Sequence, residues 1–227
     1  MKTINLILIL LIFYFYISEP GIVPNSDYPN KTLRANSTLE EPSEKETEQK
    51  TEKKEIYEVE HLINAAKEGN IKAIKKFLKS TRMDINARDE SGDAAIHYAT
   101  GHFAGPDADH IKLVSHINIV KLLLKNNADV NLKDHNGDSP LILASYFCDM
   151  DMIQLLLDHS ATVDLENNEG NNALHGSVRC PLPVAKLLVE NGVPLSQKNI
   201  EGKTPLALAK EVKNINMVSY LISQGAR

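Results

Sequence analysis

Four glycines mark a repeat that constrains the whole chain. Gly92, Gly137, Gly170 and Gly202 open similar stretches, GDAAIHYA, GDSPLILA, GNNALHGS and GKTPLALA, at spacings of 45, 33 and 32 residues. The long interval is the common one plus an insertion of 12 residues. Each stretch leads into a second apolar block, INIVKLLL, MDMIQLLL, LPVAKLLV and INMVSYLI, and then into a turn-like segment, KNNADVN, DHSATVD, ENGVPLS and SQGA. A degenerate earlier copy begins near Val59, with LINAAKEGN, IKAIKKFL and KSTRMDIN. A period of this length specifies an array of small stacked units, not one globular core.

Each unit reads as two short helices followed by an extended turn, which makes the fold all-α. In the second helix Ile119 meets Leu122 and Leu123 at i+3 and i+4, giving one apolar face. Ala65, Ala99, Ala144 and Ala209 recur in the first helix, where a small side chain lets neighbouring helices approach closely. Two helices this short cannot bury their apolar faces alone, so stacking is obligatory. The net charge is −5, and residues 39–60 alone carry nine Glu and four Lys, so the remainder is balanced. A nucleic-acid-binding protein would need a basic excess on its folded part, so the balance argues against that class.

Over residues 59–227 the chain resembles the ankyrin repeat family, in five units near 59–88, 89–133, 134–166, 167–198 and 199–227. The resemblance rests on Ser139-Pro140-Leu141, Thr204-Pro205-Leu206, Leu174-His175 and Asn127-Ala128-Asp129-Val130-Asn131, all in phase. It implies an ankyrin-repeat solenoid of stacked helix pairs with projecting turn fingers. Ser139 and Thr204 are expected to cap first helices, with Pro140 and Pro205 at the first helical position. Two units depart from the pattern. Ala94-Ala95 replaces the Thr-Pro pair in one. The other has Asn172-Ala173 there, is one residue short near Cys180-Pro181 and starts its second helix at Pro183. Both are expected to be softer than their neighbours. Lys210, Lys213, Asn214, Ser223 and Gln224 are expected to give the last unit a polar outer side.

The resemblance further implies a non-enzymatic module that binds a protein partner through finger tips and the exposed surface of the first helices. Position by position, the tips are Arg88, Glu90, Ser91 and Asp93; Lys133, His135, Asn136 and Asp138; Glu166, Asn168, Glu169 and Asn171; and Lys198, Ile200, Glu201 and Lys203. The first-helix positions are Lys67 and Glu68, Tyr146 and Phe147, Arg179, and Glu211 and Val212. Tyr146 and Phe147 are the expected anchors, since adjacent aromatics form binding hot spots. His97 and His175 are expected to make hydrogen bonds between units. No cofactor is implied, and a monomer is expected.

Other chemistry is weaker in the sequence. The insertion, residues 101–117, supplies His102, Asp107, Asp109, His110 and His116 as ligand types for zinc or a similar ion. Their spacing matches no recognised site, and Gly101, Gly105 and Pro106 favour a surface loop. A metal-dependent activity there, or an array that only displays the linker, are the alternative readings. Cys148 and Cys180 fall in matching loops of adjacent units, and helices stacked about 8–10 Å apart favour two free thiols. Lys72, Lys75, Lys76 and Lys79 line one helical face, read as solvated. There is no G-x-S-x-G, P-loop or dinucleotide fingerprint.

Residues 1–18, MKTINLILILLIFYFYIS, carry Lys2 ahead of 12 unbroken apolar residues, Leu6–Ile17. That length suits a secretory signal better than a membrane span, which needs about 20 residues. Tyr16 makes a poor cleavage site, so an uncleaved anchor stays open. In both of these cases the repeats are expected outside the cytosol, with membrane contact only through this segment; a merely apolar N-terminus is the third reading. Residues 19–58 read as a disordered acidic linker. Its Asn30-Lys31-Thr32 and Asn36-Ser37-Thr38 fit the glycosylation pattern, though unmodified loop sequence is the preferred reading.

Overall fold

The structure, a computed structural model, describes residues 57–80, 84–101 and 110–227. The apolar segment 1–18, nearly all of the acidic linker, and His102, Asp107 and Asp109 of the insertion lie outside these residues. Among the described residues no helix is long and apolar enough to cross a membrane.

Helices come in pairs. Residues 57–67 form α1 and Ile71–Ser80 forms α2. Ala95–Thr100 is α3 and His110–Lys125 is α4. Pro140–Tyr146 and Met150–Asp158 are α5 and α6. Ala173–Gly176, continued by a 3₁₀ turn at Ser177–Arg179, is α7, and Leu182–Glu190 is α8. Pro205–Glu211 and Ile215–Ser223 are α9 and α10.

The first helices of the three inner units are buried almost throughout, because each lies between two neighbours and its own partner. Ala95, Ile96, Leu141, Ile142, Ala144, Ala173, Leu174, Leu206 and Ala209 join Ile119, Leu123, Ile153, Leu156, Leu188 and Leu221 in one continuous core. The second helices bury a single face. Met152, Ile153, Leu155 and Leu156 of α6 are buried, while Asp151, Gln154 and Asp158 face solvent.

Caps follow the side chains available. Ser139 Oγ and Thr204 Oγ1 accept from the N–H of Ile142 and Ala207, with Pro140 and Pro205 next in line. Ala94 has no side chain to offer, and α3 lacks a side-chain cap. Asn172 does cap α7, its Oδ1 accepting from Leu174 and His175 at 3.1 Å each. That unit's missing residue is absorbed where α7 tightens into the 3₁₀ turn.

Three expectations need correction. The insertion is not a loop throughout, because α4 begins at His110 and runs 16 residues. Cys148 and Cys180 are not free thiols. They form a disulfide with Cα atoms 5.4 Å apart. Both lie beyond their helix ends, so helix spacing does not govern their separation. Cys148 has φ 58, the left-handed turn that also ends two other first helices, at Gly69 and Lys213. Finally, the outer side of the last unit is only partly polar. Asn214 turns inward, donating to Val178 O at 3.0 Å, whereas Ile215 and Ile222 are exposed.

Candidate interaction surface

Each finger is built around one side chain. Asp89, Asp134, Asn167 and Asn199 occupy equivalent positions, and each Oδ1 accepts from the backbone N–H two and four residues on, at 2.8–3.1 Å. The same residue's N–H donates to the carbonyl four residues on, closing the turn: Asp89 to Asp93, Asp134 to Asp138, Asn167 to Asn171 and Asn199 to Lys203. Such a turn requires a left-handed residue, supplied by Gly92, Gly137, Gly170 and Gly202. At Gly137 a Cβ would also lie 2.8 Å from the Asn168 nitrogen of the next finger.

Fingers are tied to one another in register. Asn168 N–H donates to Asn136 O and Ile200 N–H to Glu169 O, both at 2.9 Å. Lys133 Nζ reaches Glu166 O at 2.7 Å. His97 and His175 carry the tie below the fingers. Nε2 of His97 donates to Leu132 O at 2.7 Å, and Nε2 of His175 donates to Lys203 O at 3.1 Å. Burial holds both imidazoles below the usual histidine range, which keeps them neutral and suits a bridging role, not acid–base work.

The tip residues divide into two groups. Arg88, Glu90, Ser91, Lys133, His135, Asn136, Asn168, Glu169, Lys198, Ile200 and Glu201 are exposed, and Glu166 and Lys203 are half-buried. Asp93, Asp138 and Asn171 are not surface positions. They are the last residue of their fingers, turned inward to meet the next finger. Asp93 Oδ1 accepts from His135 Nδ1 at 2.9 Å, Asp138 Oδ1 from Asn167 Nδ2 at 2.7 Å, and Asn171 Oδ1 from Asn199 Nδ2 at 3.0 Å. Burial would raise Asp93, but the hydrogen bonds from His135 outweigh it and hold its carboxyl below the usual range. At Asp138 burial outweighs the hydrogen bond from the Asn167 amide, and its carboxyl is pushed up to about 6.

Tyr146 and Phe147 lie at the end of α5, 41% and 43% exposed. Their inner edges rest on glycines of the units either side. A Cβ on Gly101 would come within 2.7 Å of the Phe147 ring, and one on Gly176 within 3.2 Å of the Tyr146 ring. The Tyr146 hydroxyl accepts from Asn167 Nδ2 at 3.3 Å, and burial raises its pKa. A hollow beside it is lined by Asn136, Asp138, Tyr146, Asn167, Asn168 and Glu169. Arg179 is exposed on the neighbouring unit. Sequence reasoning missed Asp89, Asp134, Asn167 and Asn199, though the recurring Asp/Asn three residues before each finger glycine was a readable signal.

Family models of ankyrin repeats match residues 108–199, as three copies, and residues 62–104, together more than half of the chain. The chain is 34% identical over 146 residues to the nuclear factor NF-kappa-B p105 subunit of Gallus gallus, covering 62% of the chain and 14% of that protein. It is 31% identical over 158 residues to the B-cell lymphoma 3 protein homolog of Mus musculus, covering 69% and 33%. A third relative, the phosphocholine transferase AnkX of Legionella pneumophila, is 26% identical over 179 residues, covering 72% and 18%. The chain thus spans a third or less of each relative.

Proposed function

The chain belongs to the ankyrin-repeat family, whose repeats are protein–protein interaction modules, and on that premise we propose that it is a non-enzymatic binding protein working outside the cytosol. Its partner is a protein, engaged through the exposed finger tips and the ends of the first helices. The observation that carries this reading is the pair Tyr146 and Phe147, presented side by side near the middle of the array and set against glycines. Aromatic rings held this way offer large contact area at little entropic cost on binding, the character of a hot spot. The exposed tips of the adjoining fingers form the polar rim around them.

Affinity capture from the native source tests this, comparing the wild type with a Y146A/F147A variant and with a Q154A variant on the second-helix face. The proteins retained by wild type and Q154A should be lost from Y146A/F147A, with helical circular dichroism unchanged in all three. Equal retention by all three would overturn the reading.

Export is supported by two independent features. One is the short apolar N-terminal run behind Lys2. The other is the Cys148–Cys180 disulfide, a bond that persists in oxidising compartments and is rare in the cytosol. Cell fractionation with intact-mass measurement checks it. Protein outside the cytosol, either lacking about 18 residues or anchored full-length, is the expected result. Full-length soluble protein in the cytosol would contradict it.

A further inference from the structure

The junctions between fingers use one device, and a single junction breaks it. Between the third and fourth units, and again between the fourth and fifth, an Asn amide donates back to the last side chain of the preceding finger: Asn167 to Asp138 and Asn199 to Asn171. The same register between the second and third units pairs Asp134 with Asp93, two carboxylates with no amide proton between them. Asp134 Oδ1 is committed to the N–H of Asn136 and Asp138, at 2.8 Å each. Its Oδ2, in the place where the other junctions hold the amide nitrogen, is buried and has no hydrogen-bond partner. Asp93 and Asp134 are 1% and 6% exposed, and an uncompensated buried carboxylate oxygen is costly.

We propose that Asp93, Asp134 and His135 form a binding site for one divalent transition-metal ion of the Zn²⁺ class, which ties the finger of the second unit to that of the third. One ligand atom from each of the three lies within 4.8 Å of the others. His135 Nδ1 already sits 2.9 Å from Asp93 Oδ1, and on binding the ion takes the place of the proton between them. Metal–ligand bonds of about 2.0–2.2 Å at tetrahedral angles require the Asp93–His135 pair to open slightly around the ion, and the His135 side chain, 45% exposed, can turn to allow this and leaves an entry path. A mixed imidazole and carboxylate set suits zinc better than magnesium or calcium, which prefer all-oxygen shells. Its three residues lie outside the insertion at 101–117.

The test is isothermal titration of the full, disulfide-intact chain, freed of metal, with zinc chloride, with magnesium chloride as the control. One saturable zinc site per chain is expected, weakened at least tenfold in both D134N and H135Q. D134N also restores the amide found at the other two junctions. Its metal-free melting temperature should therefore exceed that of the wild type, while the zinc-induced rise seen in the wild type disappears. Absence of saturable zinc uptake by the wild type would overturn the proposal. So would uptake that survives both substitutions, since the ion would then sit elsewhere.

Discussion

His175 shows how a single side chain can join two units. It is 2% exposed, with Nδ1 accepting the Asn172 N–H at 3.2 Å and Nε2 donating to Lys203 O in the next unit. Burial lowers its pKa, so the unfolded chain binds its proton more readily than the fold does. The stability it contributes is therefore complete above the unfolded value, about 6.5, and is lost as the pH falls below it. Urea midpoints measured between pH 7 and 5 should decline more gently in H175Q than in the wild type, whatever the offset between them. Asn167 is the other residue-scale test. Its Oδ1 closes its own finger and its Nδ2 holds Asp138, so N167A leaves two buried groups and the half-buried Glu169 N–H short of a partner. A loss of about 2–3 kcal/mol in urea denaturation is expected. Substitution of exposed Lys198 or Glu201 should stay within about 0.5 kcal/mol. In the sequence Asp93, Asp138 and Asn171 are indistinguishable from their exposed neighbours, because what buries them is a side chain 28–42 residues further on.

At the scale of elements, the apolar blocks and their caps were legible, and the connections were not. Ser139-Pro140 and Thr204-Pro205 announce helix starts, because cap and fixed φ are local properties. The 16-residue α4 extends into what reads as a Gly/Pro-marked loop, since the apolar pattern of HIKLVSHI is shorter than the helix it joins. The disulfide was hidden for a different reason. It depends on a left-handed Cys148 at a helix end and on a 3₁₀ turn before Cys180, neither of which spacing reveals. The bond closes a loop of 32 residues between adjacent units. By the chain-entropy model a C148S/C180S variant should lose about 3–4 kcal/mol, read as a lower urea midpoint. Reducing agent should reproduce that loss in the wild type and leave the double variant unchanged.

For the whole molecule, the repeat period required stacked units, because every unit must cover its neighbour to bury its own face, and the in-phase motifs pointed to the ankyrin solenoid. The period could not specify which surface binds, since the positions that vary between units carry no fold signal. The structure turns Asp93, Asp138 and Asn171 inward and leaves Tyr146 and Phe147 exposed. The central claim is that this face, and not the solvated side of the second helices, meets the partner. The most direct measurement places a photoreactive phenylalanine analogue at position 147 or, in a second protein, at position 154, and irradiates each in its native compartment. The account predicts a discrete covalent adduct with a partner protein from position 147 and none from position 154. An adduct from position 154 with none from position 147 would contradict it.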